Sequence, residues 1–129
     1  MVCLDTDIMV ALLRGDKRAL DVIDMHSNDQ VKTTIITAYE LLKGASISSR
    51  RDENIRMVME LLQNVTVLAL DVGACRMAGL IYSKLRERGR RMIGEFDILI
   101  AGIVKHNREL LITRDMHFQA IPDMSVEVW

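Results

Sequence analysis

Aromatic residues, proline and cysteine are all scarce in this chain of 129 residues. Aromatic residues make up 4% of it, and it has a single proline and two cysteines, Cys3 and Cys75. A core with so few rings must be aliphatic, with the 9 methionines filling irregular gaps. No CxxC pair occurs and the 3 histidines are scattered, which disfavours a zinc site. Both cysteines lie in apolar stretches, so we expect two buried free thiols, with a single disulfide between them as the alternative.

Long apolar runs and an excess of one charge are also absent. The longest charge-free apolar run, residues 98–104, is far shorter than the about 20 residues that cross a bilayer. No N-terminal segment has the layout of a secretory signal, so we expect a soluble cytoplasmic protein without membrane contact. The net charge of −1 provides no general attraction to nucleic acid, although local basic patches remain compatible with it.

The order of apolar segments predicts one domain over residues 1–129, since no linker or repeat interrupts it. Strands are predicted at residues 2–4, 31–34, 65–70, 110–113 and 126–128. Helices are predicted at residues 8–13, 18–25, 37–45, 52–62, 72–89 and 95–106. Short apolar strands that alternate with helices indicate a three-layer α/β/α domain with a central, mainly parallel sheet of about five strands. The strand C-termini then share one edge, where such sheets bind ligands.

Acidic residues collect at the ends of these elements. Asp5 and Asp7 follow the first strand, Asp115 follows the fourth, and Asp97 stands at the start of a helix apolar enough to be buried. Each acid alone is compatible with a helix cap or a turn. Together, Asp5, Asp97 and Asp115 are expected at one edge of the sheet, where crowded carboxylates suit Mg²⁺ or Mn²⁺.

Four stretches carry a more specific signal; in order, they read LDTDIMVALLRG, TAYELLKGA, GEFDILIAG and LLITRDMHF. They resemble the PIN-domain ribonucleases, and more narrowly the VapC-type toxins of VapBC toxin–antitoxin pairs. The resemblance covers nearly the whole chain, and the closing SVEVW fits the family's last strand. It implies a PIN-like fold, a metal-dependent endoribonuclease activity with Mg²⁺ as cofactor and Mn²⁺ as an alternative, and an RNA substrate. It also implies a VapB-type antitoxin, whose apolar helix lies in a groove, and a homodimer.

The resemblance also assigns roles to individual residues. The catalytic and metal-binding acids would be Asp5, Glu40, Asp97 and Asp115. Glu40 enters only in this way, because its place off the apolar stripe and three residues from Lys43 otherwise indicates a surface ion pair. The expected helpers are Thr113, Asp7 and Glu95. Thr113 stands where the family often has a hydroxyl that orients the acids, Asp7 stands where Asn or Ser is more usual, and Glu95 falls at a variable position.

A basic run precedes the motif GEFD. Its cations, which would meet RNA phosphates beside the acids, are Lys84, Arg86, Arg88, Arg90 and Arg91. Cations at this place also complement the dipole of a helix that ends near Gly89, and the two roles are compatible.

Three other functions fit parts of the pattern. A strand followed by Asp5-x-Asp7 also resembles the haloacid-dehalogenase-type phosphatases, in which Asp5 would be the nucleophile and Asp7 the acid/base. That family needs a downstream Gly-Asp pair, and none follows Gly15-Asp16. A phospho-receiver module would use Asp71, which we interpret as a helix N-cap. A non-catalytic PIN-like binding module is the third alternative, and the intact set of four acids disfavours it.

Overall fold

The computed structural model describes residues 1–89 and 93–129, which form five strands and six α-helices within those ranges. The strands are β1 (Val2–Leu4), β2 (Val31–Thr34), β3 (Thr66–Leu68), β4 (Leu110–Thr113) and β5 (Val126–Val128). The helices are α1 (Thr6–Leu13), α2 (Lys17–Met25), α3 (Ile35–Ser46), α4 (Arg51–Gln63), α5 (Val72–Glu87) and α6 (Glu95–His106). A 3-10 helix covers Met116–Ala120.

The strands form one sheet in the order β3-β2-β1-β4-β5, and every pairing is parallel. The central strand β1 pairs with both β2 and β4, so that Cys3 lies opposite Lys32 on one side and Leu111 on the other. All strands therefore end at the same edge, which brings the segments that follow β1 and β4 side by side. The predicted parallel sheet is confirmed.

Alternating side chains of the central strands supply two aliphatic cores on opposite faces of the sheet. Leu4 and Ile112 pack with residues of α1, α2, α3 and α4 on one face. Cys3 and Leu111 pack with α5, α6 and Phe118 of the 3-10 helix on the other. The predicted three-layer α/β/α architecture is therefore confirmed.

The two cysteines have different environments. Cys3 is fully buried, and burial raises the pKa of its thiol far above the ordinary value, with the charge of Glu109 adding to the shift. Cys75 is exposed, so the prediction of two buried thiols is wrong at this position. The buried face of α5 carries Ala74 and Ala78, and a residue next to Ala74 points away from it because successive side chains turn by about 100° around a helix.

The helix α6 is the most deeply buried one, as its apolar sequence predicts. It packs antiparallel to α5, since Gly73 lies against His106 at one end and Tyr82 shares a groove with Glu95 at the other. A Cβ atom at Gly102 would lie 2.7 Å from the Ala74 carbonyl oxygen, so this close approach requires glycine. No helix in the described part of the chain is both long and apolar enough to cross a membrane.

Candidate active site

Asp5 and Asp115 follow the neighbouring strands β1 and β4 at the carboxyl edge of the sheet. The Asp5 N–H donates to the Ile112 carbonyl oxygen over 3.0 Å, which ties the end of β1 to β4. Thr113, the last residue of β4, donates from Oγ1 to Asp5 Oδ2 over 2.6 Å. The same Oγ1 accepts from the Asp115 N–H over 3.0 Å. Thr113 therefore joins Asp5 to the segment that carries Asp115.

The sequence allowed Asp5 to be either a helix cap or a site residue, and its side chain makes contacts of both kinds. It is the N-cap of α1, and its Oδ1 accepts from the Thr6 N–H over 2.8 Å. With Thr113 bound to Oδ2, each carboxylate oxygen accepts one hydrogen bond, so the orientation of the group is determined. Asp7 lies in the first turn of α1 and is exposed.

Three threonine hydroxyls form a chain of hydrogen-bond contacts that ends at Glu40 on α3. Thr6 Oγ1 donates to Glu40 Oε1 over 2.8 Å and lies 3.2 Å from Thr37 Oγ1. Thr34 Oγ1 donates to Thr37 Oγ1 over 3.4 Å and accepts from the Thr37 N–H over 3.1 Å, as the N-cap of α3. Because Thr6 directly follows Asp5, this chain joins Glu40 to the end of β1. Sequence reasoning missed Thr6 and Thr37, although hydroxyls beside both acids in LDTD and TAYE were the available signal.

Asp97, in the first turn of α6, shares the electrostatic environment of the other acids. Burial raises the pKa of this carboxyl to about 6. The negative charges of Asp115, Glu40 and Asp7 add to the shift, and His117 opposes it. Acids from α1, α3, α6 and the segment after β4 therefore act on one another through their charges.

Burial also raises the pKa of Asp5 to about 6. Hydrogen bonds from Thr113 and Thr6 oppose this shift, whereas the charges of Asp7 and Asp97 add to it. A buried carboxylate among like charges is a common feature of active sites.

The acids supply oxygen donors of the kind that bind a divalent cation, but their side chains are not arranged as a complete set of ligands. In residues 1–89 and 93–129, no three Asp, Glu, His or Cys side chains converge closely enough to hold an ion. The donors are nevertheless hard oxygens, which Mg²⁺ and Mn²⁺ prefer. The raised pKa values of Asp5 and Asp97 mark charge repulsion and desolvation, which a bound cation would offset. The residues therefore fit such a cation chemically, and binding it requires the side chains to draw together.

His117 is a residue beside the acids that sequence reasoning did not select. Its Nδ1 lies 2.9 Å from Asp115 Oδ1, and its backbone N–H donates to the same oxygen over 2.9 Å. Its place two residues after Asp115 was the only signal, and the scattered histidines formed no recognisable pattern.

Glu95, a predicted helper, and Asp71, interpreted from the sequence as a helix cap, make no described hydrogen bond or ion pair with the four acids. Glu95 is exposed in the first turn of α6 and lines the groove with Tyr82 and Leu99, and no described contact joins it to the other acids. Asp71 is the N-cap of α5 and accepts from the Ala74 N–H over 2.8 Å, as interpreted from the sequence.

The predicted RNA-binding cations Lys84, Arg86 and Arg88 are exposed at the C-terminal end of α5. Because α5 and α6 are antiparallel, this end lies beside the start of α6, the helix that carries Asp97. Lys84 and Arg86 stand in the last turn, where they also complement the helix dipole. Arg90 and Arg91 lie outside the described residues.

Comparison with known proteins identifies the family. The model of the PIN domain matches residues 2–124. Ribonuclease VapC1 of Haemophilus influenzae strain R2866 is 31% identical over 129 residues, covering 98% of this chain and 96% of the relative. The tRNA(fMet)-specific endonuclease VapC of Shigella flexneri is 26% identical, with the same coverage.

Solved structures agree with these sequence matches. VapBC-1 from nontypeable Haemophilus influenzae superimposes with a TM-score of 0.88 at 31% identity, covering 100% of this chain and 98% of the other. VapBC2 from Rickettsia felis, bound to a DNA fragment from its promoter, reaches a TM-score of 0.92 at 22% identity, covering 100% and 99%. At that identity the second match shows the fold alone. The chain therefore belongs to the PIN-domain family and, within it, to the VapC ribonucleases.

Proposed function

We propose that this protein is a metal-dependent endoribonuclease that acts as the toxin of a type II toxin–antitoxin pair and hydrolyses RNA phosphodiester bonds at a pocket of four acids. The acids are Asp5, Glu40, Asp97 and Asp115. The observation that carries this proposal is that hydrogen bonds from Thr113 and Thr6 hold Asp5 and Glu40, acids from separate elements, at the carboxyl edge of the sheet. Membership of the VapC ribonucleases supports the reaction type.

A divalent cation, Mg²⁺ or alternatively Mn²⁺, fits these donors. Held by Asp5 and Asp97 with Glu40 or Asp115, it would activate water and stabilise the charge that develops on the phosphate. One of the four acids would accept a proton from the attacking water.

The threonines hold the acids in place for this chemistry. Thr113 anchors Asp5 through a buried hydrogen bond, and Thr6 anchors Glu40. A fixed carboxylate costs little reorganisation when the substrate binds, which is the advantage of a preorganised site. Asp7 and Glu95 remain predicted helpers; Asp7 adds negative charge next to Asp5 and Asp97, and Glu95 has no such support.

RNA contact at this negative site is proposed for the basic end of α5. Lys84, Arg86 and Arg88 are exposed beside the start of α6, where they would bind the phosphates that flank the scissile bond. Arg90 and Arg91 belong to the same proposal on sequence grounds alone.

The proposed partner is a VapB-type antitoxin. The relatives of known structure named above are VapBC complexes. In this chain, a groove of about 380 Å³ lies between α1, α3 and α4, lined by Val10, Leu41 and Val58 among its apolar residues and by Glu40. An apolar antitoxin helix in this groove would bring the rest of its tail to the acids. A homodimer and a cytoplasmic location complete the proposal.

Mapping new RNA 5′ ends in cells after brief induction tests this function. The comparison is between the wild type and Asp5→Asn, a variant that keeps the shape of the side chain. Discrete new 5′ ends with the wild type alone would support the nuclease and identify its target. Matching profiles would contradict it and favour the alternative of a PIN-like binding module. Purified protein with Mg²⁺, with Mn²⁺ and with EDTA then tests the dependence on metal.

A further inference from the structure

Two exposed aromatic rings stand on α3 and α6, the helices that carry Glu40 and Asp97. Tyr39 directly precedes Glu40 on α3, and Phe96 directly precedes Asp97 on α6. The two ring centroids lie 5.7 Å apart, with the ring planes at 82° to each other. This edge-to-face contact joins α3 to the first turn of α6.

These rings are exposed to solvent, although the protein has few aromatic residues. Tyr39 is 52% exposed and Phe96 is 40% exposed, whereas only 4% of the chain is aromatic. A single exposed ring needs no explanation, because much of any protein surface is apolar. Two exposed rings in contact are different, because together they present an apolar surface on the two helices that carry Glu40 and Asp97.

A cation completes this surface. Lys43 Nζ lies 5.6 Å from the ring centroid of Tyr39 and 5.6 Å from that of Phe96. Lys43 stands one helical turn after Tyr39 on α3, and its side chain is exposed. A long and exposed side chain can exchange its cation–π contacts for a phosphate at little cost.

We propose that Tyr39, Phe96 and Lys43 form a platform on which an unpaired base of the RNA substrate stacks while Lys43 contacts a neighbouring phosphate. The inference rests on the proposed ribonuclease function, whose substrate it narrows to RNA with a single-stranded segment at the cleavage site. Unstacked bases are commonly recognised by stacking on aromatic side chains, whereas bases inside a duplex are not accessible to such a platform. Lys43 also brings a positive charge to this surface, which attracts phosphates.

Equilibrium binding of a labelled single-stranded RNA of about twelve nucleotides, compared with an abasic oligomer of the same length, tests the platform. Fluorescence anisotropy would be measured in an Asp97→Asn background with Mg²⁺, so that binding is observed without cleavage. The parent should bind the base-bearing RNA more tightly than the abasic one. Tyr39→Ala and Phe96→Ala should each weaken binding of the base-bearing RNA by about 5- to 150-fold and leave the abasic oligomer unaffected.

Matched variants separate stacking from other effects. Tyr39→Phe and Phe96→Tyr keep a ring and should keep the affinity. Lys43→Gln should weaken both oligomers alike and lower the salt dependence of binding by about one ion. Tyr82→Ala removes another exposed tyrosine, 48% exposed on α5, and should change neither. Circular dichroism of each variant verifies that the fold is retained.

Three outcomes would overturn the platform. The parent could bind the two oligomers with equal affinity, or bind neither, and the alanine variants could bind RNA as tightly as the parent. In the third outcome, the only change in the alanine variants is that a dimer becomes a monomer in sedimentation. The last result would make the rings an interface between copies. Failure of the proposed function is distinguishable, because it appears as an absence of cleavage by the wild type while base-dependent binding persists.

Discussion

Replacing Asp5 by Asn should make the metal-free protein more stable while it removes the nuclease activity. In the folded protein, burial raises the pKa of Asp5 to about 6 from an ordinary value of 3.8. A carboxyl that binds its proton more tightly when folded destabilises the fold once it is ionised. This destabilisation is small below about pH 4, grows between about pH 4 and pH 6, and stays constant at higher pH.

The size of the expected gain in stability follows from the shift in the pKa of Asp5. About two pKa units correspond to about 3 kcal/mol at pH values well above 6. Asn keeps the acceptor for the Thr6 N–H but turns an NH₂ group toward Thr113, which must reorient its hydroxyl. We therefore expect Asp5→Asn to gain about 1–3 kcal/mol at about pH 8, or roughly 4–11 °C in Tm for a chain of this length.

Urea unfolding of both proteins in EDTA, at about pH 8 and about pH 5, measures the gain, which should fall by about half at the lower pH. Asp16→Asn is the control, because Asp16 is the N-cap of α2 and Asn caps a helix as well as Asp does. A variant no more stable than the wild type at about pH 8, or a gain that does not shrink at about pH 5, would refute the reasoning. Saturating Mg²⁺ should stabilise the wild type more than Asp5→Asn.

Three further substitutions test other parts of the structure. Thr6→Val removes the donor to Glu40 Oε1 and should lower the cleavage rate by about 10- to 100-fold with less than about 2 kcal/mol lost in urea unfolding; an unchanged rate would mean that Glu40 needs no anchor. Lys32→Met leaves the buried Glu109 carboxylate unpaired and should cost about 3–5 kcal/mol, most of it recovered in the double variant with Glu109→Leu; a loss under about 1 kcal/mol would contradict this account. Lys84→Gln should weaken RNA binding in a filter assay and reduce its salt slope by about one ion, and an unchanged slope would exclude a phosphate contact there.

The architecture was predictable from local sequence, and so were the positions of three acids at the ends of its elements. Short apolar runs between helices with a periodic apolar face indicated the parallel sheet. The spacing of apolar residues differs between strands and helices, which distinguishes the two kinds of element. Asp5, Asp97 and Asp115 stood at element ends, and parallel strands bring such ends to one edge. Glu40 needed the family resemblance, since its position on a mixed helical face is equally typical of a surface ion pair. That all residues form a single domain stays a prediction.

The tertiary structure decided the contacts between distant segments. Thr6 and Thr37 became anchors of Glu40 only because α1 and α3 pack together, and no local pattern encodes that approach. The exposure of Cys75 likewise depends on which face of α5 meets α6, and not on the apolar residues beside it. Sequence by itself determined which elements form and which acids stand at their ends, because backbone propensity and periodicity are local. The packing of helices against the sheet determined which side chains meet, because packing depends on the whole set of neighbours.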